Sequence, residues 1–412
     1  MRKSGSTPCL AACTSAILVV MMGCGKAPPP SAPPQLTAAK TTAGEVRPTS
    51  PPKARAVPQG DKPLPDVHDL SPGGECPEPG PAGSAVMSAA ESARIPLKVG
   101  LTLSNIWKGS PDDYEHECLD QIVKIDSRSI SVTTSCPVGD DHKPLVTTRR
   151  TCWSDVMDSY LYITGGAKTF PETLVGSLKF NLSLASFAAL KGRSQFHHRF
   201  ISMDSDFPGF SRFDVEGTLI SDGSSTYKLI VNDKAIEVPT IEANYVNHKT
   251  NDTIRIKVLD EARFPIVLDY YSPSMRSFFI TYTKVSFPTA NEVEKHLAAD
   301  RHTDVYGIYF NFASDELRSE SEPVLHEIAD ALKAHADWTL IINGHTDNIG
   351  GDALNLDLSR RRASAVRKAL VERYKIEDSR LTTNGFGASQ PKESNDSERG
   401  RALNRRVELV RP

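Results

Sequence analysis

The stretch Gly344-His345-Thr346-Asp347-Asn348-Ile349-Gly350 lies between a short apolar run and a helical pattern. Upstream, Thr339-Leu340-Ile341-Ile342 has the length and composition of a buried strand. Downstream, residues Leu358 to Tyr374 place apolar side chains on one helical face. A loop that leads from a buried strand into a helix offers free backbone N–H groups and the positive end of the helix dipole. The stretch is therefore a candidate binding loop.

Further elements are predicted on both sides of this loop. Val305–Phe310 has the pattern of a strand, and Ser319 with Glu322 matches a capping box before a helix that ends near His335. Strand patterns at 380–386 and 405–410 complete the unit. The order β-α-β-α-β-β predicts an α+β domain over residues 300–412, with two helices on one face of a mixed sheet.

Four ordered motifs in this region resemble the OmpA-like, peptidoglycan-associated domain. They are the Gly-His-Thr-Asp loop, an Asn at 355 with the helix start Leu358-Ser359-x-x-Arg362-Ala363, the segment 384–387, and the segment 400–407. The resemblance covers about 110 of 412 residues. It implies non-covalent binding of peptidoglycan through the meso-diaminopimelate residue of the stem peptide, without a cofactor or catalysis.

Asp347 and Arg362 suit a ligand that carries both charges. The carboxylate of Asp347 can bind an ammonium group, and the guanidinium of Arg362 can bind a carboxylate through two parallel hydrogen bonds. Helical spacing predicts that Arg362 lies at the edge of the core, whereas Arg360 and Arg361 point elsewhere. In the alternative interpretation, Asp347 and Arg362 pair with each other as a structural salt bridge.

The resemblance also implies the rest of the diaminopimelate site. Thr346, Asn355, Arg405 and the backbone near Ala313 are its further residues. Asn311 departs from the family pattern, where many relatives have Asp, so a charged contribution from that position is not expected. His345 has no nucleophile or second base at a recognisable spacing, which argues against catalysis.

Residues 85–299 are predicted to form a mostly antiparallel β domain of unknown function. Apolar and polar residues alternate over 178–184 and 254–258, which indicates strands with one dry and one wet face. Further strand candidates are 98–107, 129–135, 159–164, 213–220, 226–232 and 277–286. Turn clusters such as Ser221-Asp222-Gly223-Ser224 separate them.

Four cysteines outside the N-terminal region are disulfide candidates, because an exported chain favours disulfides over free thiols. They are Cys76, Cys118, Cys136 and Cys152. One bridge is preferred among the last three, and three full pairings remain open. A metal site that combines His116 and His142 with neighbouring cysteines matches no standard zinc spacing, so no metal is predicted.

The N-terminus has the pattern of an export signal followed by a tether. Residues 1–23 join a basic start to an apolar run of about 13 residues, too short to span a bilayer. The position of Cys24 resembles a lipoprotein cleavage site, which implies lipidation of Cys24 and an outer-membrane location facing the periplasm. Residues 24–84 form a predicted disordered linker, because 15 of the 29 prolines fall between Pro28 and Pro81 and large apolar residues are scarce.

The charge balance argues against nucleic acid as the main partner. The chain carries a formal charge of −3, and its C-terminal part has no basic excess. The sequence therefore predicts a lipid-anchored outer-membrane protein that binds peptidoglycan and is not an enzyme. The alternative is a sensory or carrier protein, whose β domain binds a lipid or small ligand while the OmpA-like domain only localises it. Other envelope proteins are possible partners of the β domain.

Overall fold

The computed structural model describes residues 74–108, 116–138, 143–159, 161–164, 177–193, 196–202, 213–271, 279–289 and 291–412. Two hydrophobic clusters form the cores of these residues. The first contains buried side chains from Ala90 to Val285, and the second contains buried side chains from Val293 to Leu409. Within the described residues, no helix is long and apolar enough to cross a membrane.

The first core belongs to a β-rich domain with one large sheet. Its strands are β1 (Thr102–Lys108), β2 (His116–Ile125), β3 (Ser129–Val138), β4 (Lys143–Cys152), β5 (Leu161–Thr164), β6 (Ser177–Leu178), β7 (Phe196–Ser202), β8 (Phe213–Val231), β9 (Lys234–Asn247), β10 (Thr253–Leu259), β11 (Val267–Tyr271) and β12 (Phe279–Ser286). Its helices are α1 (Gly80–Glu91), α2 (Trp153–Asp158) and α3 (Leu184–Lys191). The strand order is β4-β3-β2-β1-β12-β11-β10-β9-β8-β7-β5-β6, and most pairings are antiparallel. A short parallel pairing of β12 with β8 closes strands β8 to β12 into a ring.

The predicted class of this domain is confirmed, but two local predictions are wrong. The alternation over 178–184 gives only the two-residue strand β6, and Lys179, Asn181 and Ser183 are buried like their apolar neighbours. Ser221–Ser224 is not a turn; it lies inside the 19-residue strand β8 and produces a bulge opposite β9. A bulge uses the same small and polar residues as a turn, so composition does not separate the two.

The second core belongs to the C-terminal domain. Its helices are α4 (Glu292–Ala299), α5 (Glu322–Ala334), α6 (Asp352–Glu372) and α7 (Glu398–Asn404), and its strands are β13 (His302–Val305), β14 (Leu340–His345), β15 (Leu381–Gly387) and β16 (Val407–Val410). The sheet order is β13-β16-β14-β15, in which β14 and β15 are parallel and the other two pairings are antiparallel. The predicted α+β class is confirmed.

Several predicted boundaries in this domain were wrong. The first strand is β13, which ends at Val305, and residues 306–310 continue as irregular chain with one isolated bridge at Phe310. The capping box is absent, because Ser319 opens a short 3-10 turn and donates to Glu320 instead. Helix α6 begins at Asp352, six residues before the predicted start. Helix α7 was not predicted.

The cysteines form two disulfides, Cys76–Cys152 and Cys118–Cys136. Cys76 is buried, and α1 begins at Gly80, so the folded chain starts earlier than the predicted linker boundary at residue 84. Both cysteines that could have joined a metal site with His116 are used in these bonds. The signal peptide 1–23, Cys24, linker residues up to 73 and His142 lie outside the described residues.

The two cores meet along the end of β12 and the turn between β8 and β9. The backbone N–H of Tyr306 donates to a carboxylate oxygen of Asp233 at 2.7 Å. The hydroxyls of Tyr309 and Ser286 lie 3.1 Å apart. Polar contacts therefore join the C-terminal domain directly to the β-rich domain.

Asp233 should make stability depend on pH at this interface. Burial raises the pKa of Asp233 to about 7; the charges of Glu327 and Asp304 act in the same direction, and the N–H of Tyr306 opposes them. The folded chain then keeps a proton that the unfolded chain loses near pH 4, so this group makes the free energy of unfolding fall as pH rises from about 4 to 7. We expect Asp233→Asn, which keeps the acceptor, to flatten that slope in urea titrations. An unchanged slope would contradict this assignment.

Candidate ligand-binding site in the C-terminal domain

All six residues of the predicted diaminopimelate site line one cavity of about 660 Å³. They are Ala313, Thr346, Asp347, Asn355, Arg362 and Arg405. Four parts of the chain supply them: the irregular segment after β13, which carries Ala313, the loop after β14, the first half of α6, and the segment that joins α7 to β16. The cavity therefore lies at the carboxyl end of the buried strand β14.

Close packing of α6 on β14 sets the geometry of the loop. A Cβ at Gly344 would clash with the backbone carbonyl of Ser359, and one at Gly385 would clash with the backbone of Arg360. The hydroxyl of Ser359 accepts a hydrogen bond from the N–H of Gly387 at 2.9 Å. The motif glycines thus let the helix approach both parallel strands, which places Arg362 beside the loop that carries Asp347.

Asp347 is half-buried and already engaged by protein donors. Its Oδ2 accepts from the guanidinium of Arg405 at 2.6 Å, and its Oδ1 accepts from the N–H of Ile349 at 3.0 Å. The alternative interpretation paired Asp347 with Arg362; the ion pair in the structure is with Arg405 instead. Each carboxylate oxygen has a second lone pair, so Asp347 retains capacity for a ligand donor.

Arg362 has no carboxylate partner in the part of the chain that the structure describes. Its Nε donates to the carbonyl of Ser314 at 2.9 Å, and its guanidinium lies 4.9 Å from the ring centroid of Phe310. Among the described residues, no carboxylate lies within 4 Å of this guanidinium. Burial lowers the pKa of Arg362 to about 10; the charge of Arg405 adds to this effect, and Glu117 and Asp347 oppose it. The group stays charged at neutral pH, and a bound carboxylate would stabilise it.

Thr346, Asn355 and Ala313 shape the cavity mainly through backbone contacts. The hydroxyl of Thr346 donates to the carbonyl of Asp347 at 2.8 Å, and the side-chain amide of buried Asn355 donates to the carbonyl of Ile349 at 2.9 Å. Ala313 has a left-handed backbone with φ 49° in the turn before Ser314. These residues hold the loop in place, and the geometry gives them a positioning role.

Asn311 and His345 also line the cavity. The amide of Asn311 donates to Glu316 at 2.8 Å, so this position uses its polar group within its own loop. His345 is buried, stacks on Phe386 with ring centroids 5.2 Å apart, and places Nε2 3.6 Å from Glu408. Its contacts are those of a core histidine.

A possible metal cluster lies elsewhere in the domain. Ligand atoms of His302, Asp304 and Glu408 lie within 4.8 Å of one another. Asp304 already pairs with Arg406 at 2.9 Å and with Lys392 at 2.8 Å. The chain's own cations therefore compensate this carboxylate, which makes the cluster a poor cation site.

Sequence reasoning missed the cavity residues that come from outside the motifs. Phe310 supplies an aromatic face under Arg362, and its position in a strand-like run gave no sign of this role. Glu117, Pro137 and Lys284 belong to the β-rich domain and line the same cavity. No local pattern connects positions so far apart in the chain.

Comparison with known proteins identifies the domain that contains this cavity. Residues 309–405 match the OmpA family. The C-terminal domain is OmpA-like. Outer membrane porin F of Pseudomonas aeruginosa is 40% identical over 101 residues, which are 24% of this chain and 29% of the relative. The peptidoglycan-binding protein ArfA of Mycobacterium bovis is 45% identical over 87 residues, which are 21% of this chain and 26% of the relative.

The matches to both relatives are partial. This chain covers less than a third of the length of either relative. A solved structure, the peptidoglycan-associated lipoprotein of Burkholderia pseudomallei, is 32% identical over 26% of this chain and 88% of that chain, with a TM-score of 0.24. The family match confirms the prediction that the C-terminal domain is OmpA-like.

Proposed function

We propose that the chain binds peptidoglycan non-covalently through the diaminopimelate residue of the stem peptide and so links the cell envelope to the cell wall. The carboxylate of that residue binds the guanidinium of Arg362. Its ammonium group binds Asp347, which Arg405 holds in place. Charge-assisted hydrogen bonds contribute roughly 1.5–3 kcal/mol each, so a single site is weak and many sites along a polymer make the link durable.

One observation carries this proposal. Arg362 is a half-buried cation that faces a cavity without a carboxylate partner among the described residues. Burial disfavours the charge of such a group, so a partner of opposite charge would stabilise it. A ligand carboxylate is the natural partner of Arg362. The ammonium group of the same ligand can then bind Asp347 on the neighbouring loop. The relative ArfA, a peptidoglycan-binding protein by name, supports the same ligand class.

The envelope location is part of the proposal. A lipid on Cys24 would hold the chain at the outer membrane, with the folded domains in the periplasm. The two disulfides support an oxidising compartment. Relatives whose names place them in the outer membrane, such as porin F, agree with it. The long proline-rich segment would then give the wall-binding domain its reach.

The same proposal makes the protein a binder and not an enzyme. The histidine nearest the loop, His345, has the stacked and buried surroundings of a core residue. The sensory or carrier alternative remains a prediction about the β-rich domain.

Sedimentation with purified sacculi tests the proposed function. We expect the full chain to sediment with sacculi that contain diaminopimelate and to stay in solution with sacculi that contain lysine, because lysine lacks the carboxylate that Arg362 would bind. The lysine sacculi are the matched control, since they keep the glycan and the ammonium group. Equal sedimentation with both kinds, or with neither, would overturn the proposal.

A further inference from the structure

The β-rich domain forms one wall of the ligand cavity. Glu117 at the start of β2, Pro137 near the end of β3 and Lys284 in β12 line it together with the OmpA-like residues. Lys284 is buried, and its ammonium lies 5.2 Å from the ring centroid of Tyr309, a residue of the OmpA-like domain. The cavity is therefore built by two domains.

Several contacts fix this wall in position. Arg318 of the OmpA-like domain donates to the carbonyl of Glu117 at 3.1 Å and to the carbonyl of Ser135 at 2.7 Å. The carboxylate of Glu320 pairs with the buried guanidinium of Arg318 at 3.2 Å. The disulfide Cys118–Cys136 joins the two strands at the residues next to Glu117 and Pro137. Backbone and covalent bonds thus hold Glu117 at the cavity, independently of its own carboxylate.

The carboxylate of Glu117 is ionised and half engaged. Its Oε1 pairs with Lys284 at 2.6 Å and accepts from the hydroxyl of Ser104 at 2.6 Å. Burial alone would raise the pKa of Glu117, but the charges of Lys284 and Arg405 outweigh it and hold the pKa well below its usual range. Neither of these two contacts uses Oε2. One oxygen of a fixed anion therefore remains available at the cavity.

Two charged groups at this cavity can therefore take a ligand: the guanidinium of Arg362, which has no carboxylate within 4 Å among the described residues, and the carboxylate of Glu117, whose contacts with Lys284 and Ser104 use Oε1. They come from different domains, and they complement the carboxylate and the ammonium of one zwitterionic amino-acid end. An ammonium group has three N–H donors, so it can bond a second acceptor besides Asp347. Asp347 can offer the ammonium only the second lone pairs of its oxygens, because Arg405 and the N–H of Ile349 already contact both of them.

We propose that Glu117 of the β-rich domain is a specificity-determining residue of the peptidoglycan site, where it receives the ammonium group of the ligand whose carboxylate binds Arg362. This inference rests on the proposed function and extends it to a second domain. The β-rich domain then contacts the ligand directly through Glu117. Arg318 is the positioning residue that holds Glu117 at the cavity.

The test compares the full chain and Glu117→Gln in calorimetric titrations with two soluble probes. One is a stem tripeptide that ends in meso-diaminopimelate with a free amine, and the other is the same tripeptide acetylated on that amine. We expect Glu117→Gln to weaken binding of the free-amine peptide about tenfold, the size of one charge-assisted hydrogen bond. Binding of the acetylated peptide should be unchanged by the mutation. Glu237→Gln, at an exposed position of β9, is the matched control.

Folding of the variant is checked separately, because Glu117→Gln leaves Lys284 buried without a counter-ion. The double variant Glu117→Gln/Lys284→Met removes both charges and should show the same loss for the free-amine peptide only. If the wild type binds the free-amine peptide and Arg362→Ala does not, while both Glu117 variants bind like the wild type, this inference fails and the proposed function stands. If the wild type binds neither peptide, both fail.

Discussion

Replacing Arg362 by Ala is expected to weaken binding of a diaminopimelate stem tripeptide at least about a hundredfold. Two parallel charge-assisted hydrogen bonds to a carboxylate contribute roughly 3–6 kcal/mol together, and about 1.4 kcal/mol corresponds to a factor of ten. Arg362→Lys keeps the charge but loses the planar fork, so its affinity should fall between the two. Calorimetric titration of the full chain measures all three.

The matched control is Arg360→Ala. Arg360 lies two residues away on α6, is exposed and does not line the cavity, so its loss should leave the affinity unchanged. Wild-type affinity in Arg362→Ala, or an equal loss in Arg360→Ala, would contradict the assignment of Arg362.

Stability gives an independent check on the same residue. Burial disfavours the charge of Arg362, as its lowered pKa shows. Removing the charge relieves this penalty and offsets the lost hydrogen bond to the carbonyl of Ser314, so Arg362→Met should unfold at the same or a higher urea concentration than the wild type. A binding loss without a stability loss is the signature of a group kept for a ligand. A marked loss of stability would instead indicate a structural role.

The motifs predicted the site well because the family pattern is local and its spacing follows the fold. Asp347 and Arg362 are 15 residues apart, and the turn from β14 into α6 brings both to one cavity. The buried residues of α6 lie on the face that the sequence predicts, since Ser359 and Val366 are buried and Arg360 is exposed. Helical periodicity alone was sufficient for that result.

The partner of Asp347 could not be found in this way. Arg405 lies 58 residues further along the chain, and its contact with Asp347 depends on how β16 returns beside β14. Sequence spacing does not determine such a contact. The same limit applies to Glu117, whose place at the cavity depends on the packing of two domains.

The β-rich domain was predictable as a class and not in its details. Strand β10 follows the alternation rule, because Ile254, Ile256 and Val258 are buried while Arg255 is exposed. Residues 179–183 break the rule, since tertiary packing buries both faces of that segment. Alternation of apolar and polar residues indicates a strand with one face in solvent. In a segment that is buried on both faces, the same alternation wrongly predicts a strand.

We expect the two disulfides to differ in their effects, one mainly on the free energy of unfolding and the other mainly on ligand affinity. In the chain-entropy account, the bond Cys76–Cys152, with a sequence separation of 76, contributes about 4–5 kcal/mol, and Cys118–Cys136, with a separation of 18, contributes about 3 kcal/mol. We therefore expect Cys76→Ala/Cys152→Ala to lower the free energy of unfolding more than Cys118→Ala/Cys136→Ala does. Urea denaturation of the two double variants measures the difference.

Loss of the Cys118–Cys136 bond should weaken ligand binding more than loss of the Cys76–Cys152 bond does. The bond Cys118–Cys136 adjoins Glu117 and Pro137 in the cavity wall, so its loss frees the carboxylate that we assign to the ligand ammonium. Cys76–Cys152 ties the segment before α1 to the end of β4, and neither cysteine lines the cavity. The first double variant should keep wild-type affinity for the free-amine tripeptide, and the second should approach that of Glu117→Gln. Equal affinities in two folded variants would mean that the short disulfide does not position Glu117, and Arg318 alone would then hold it.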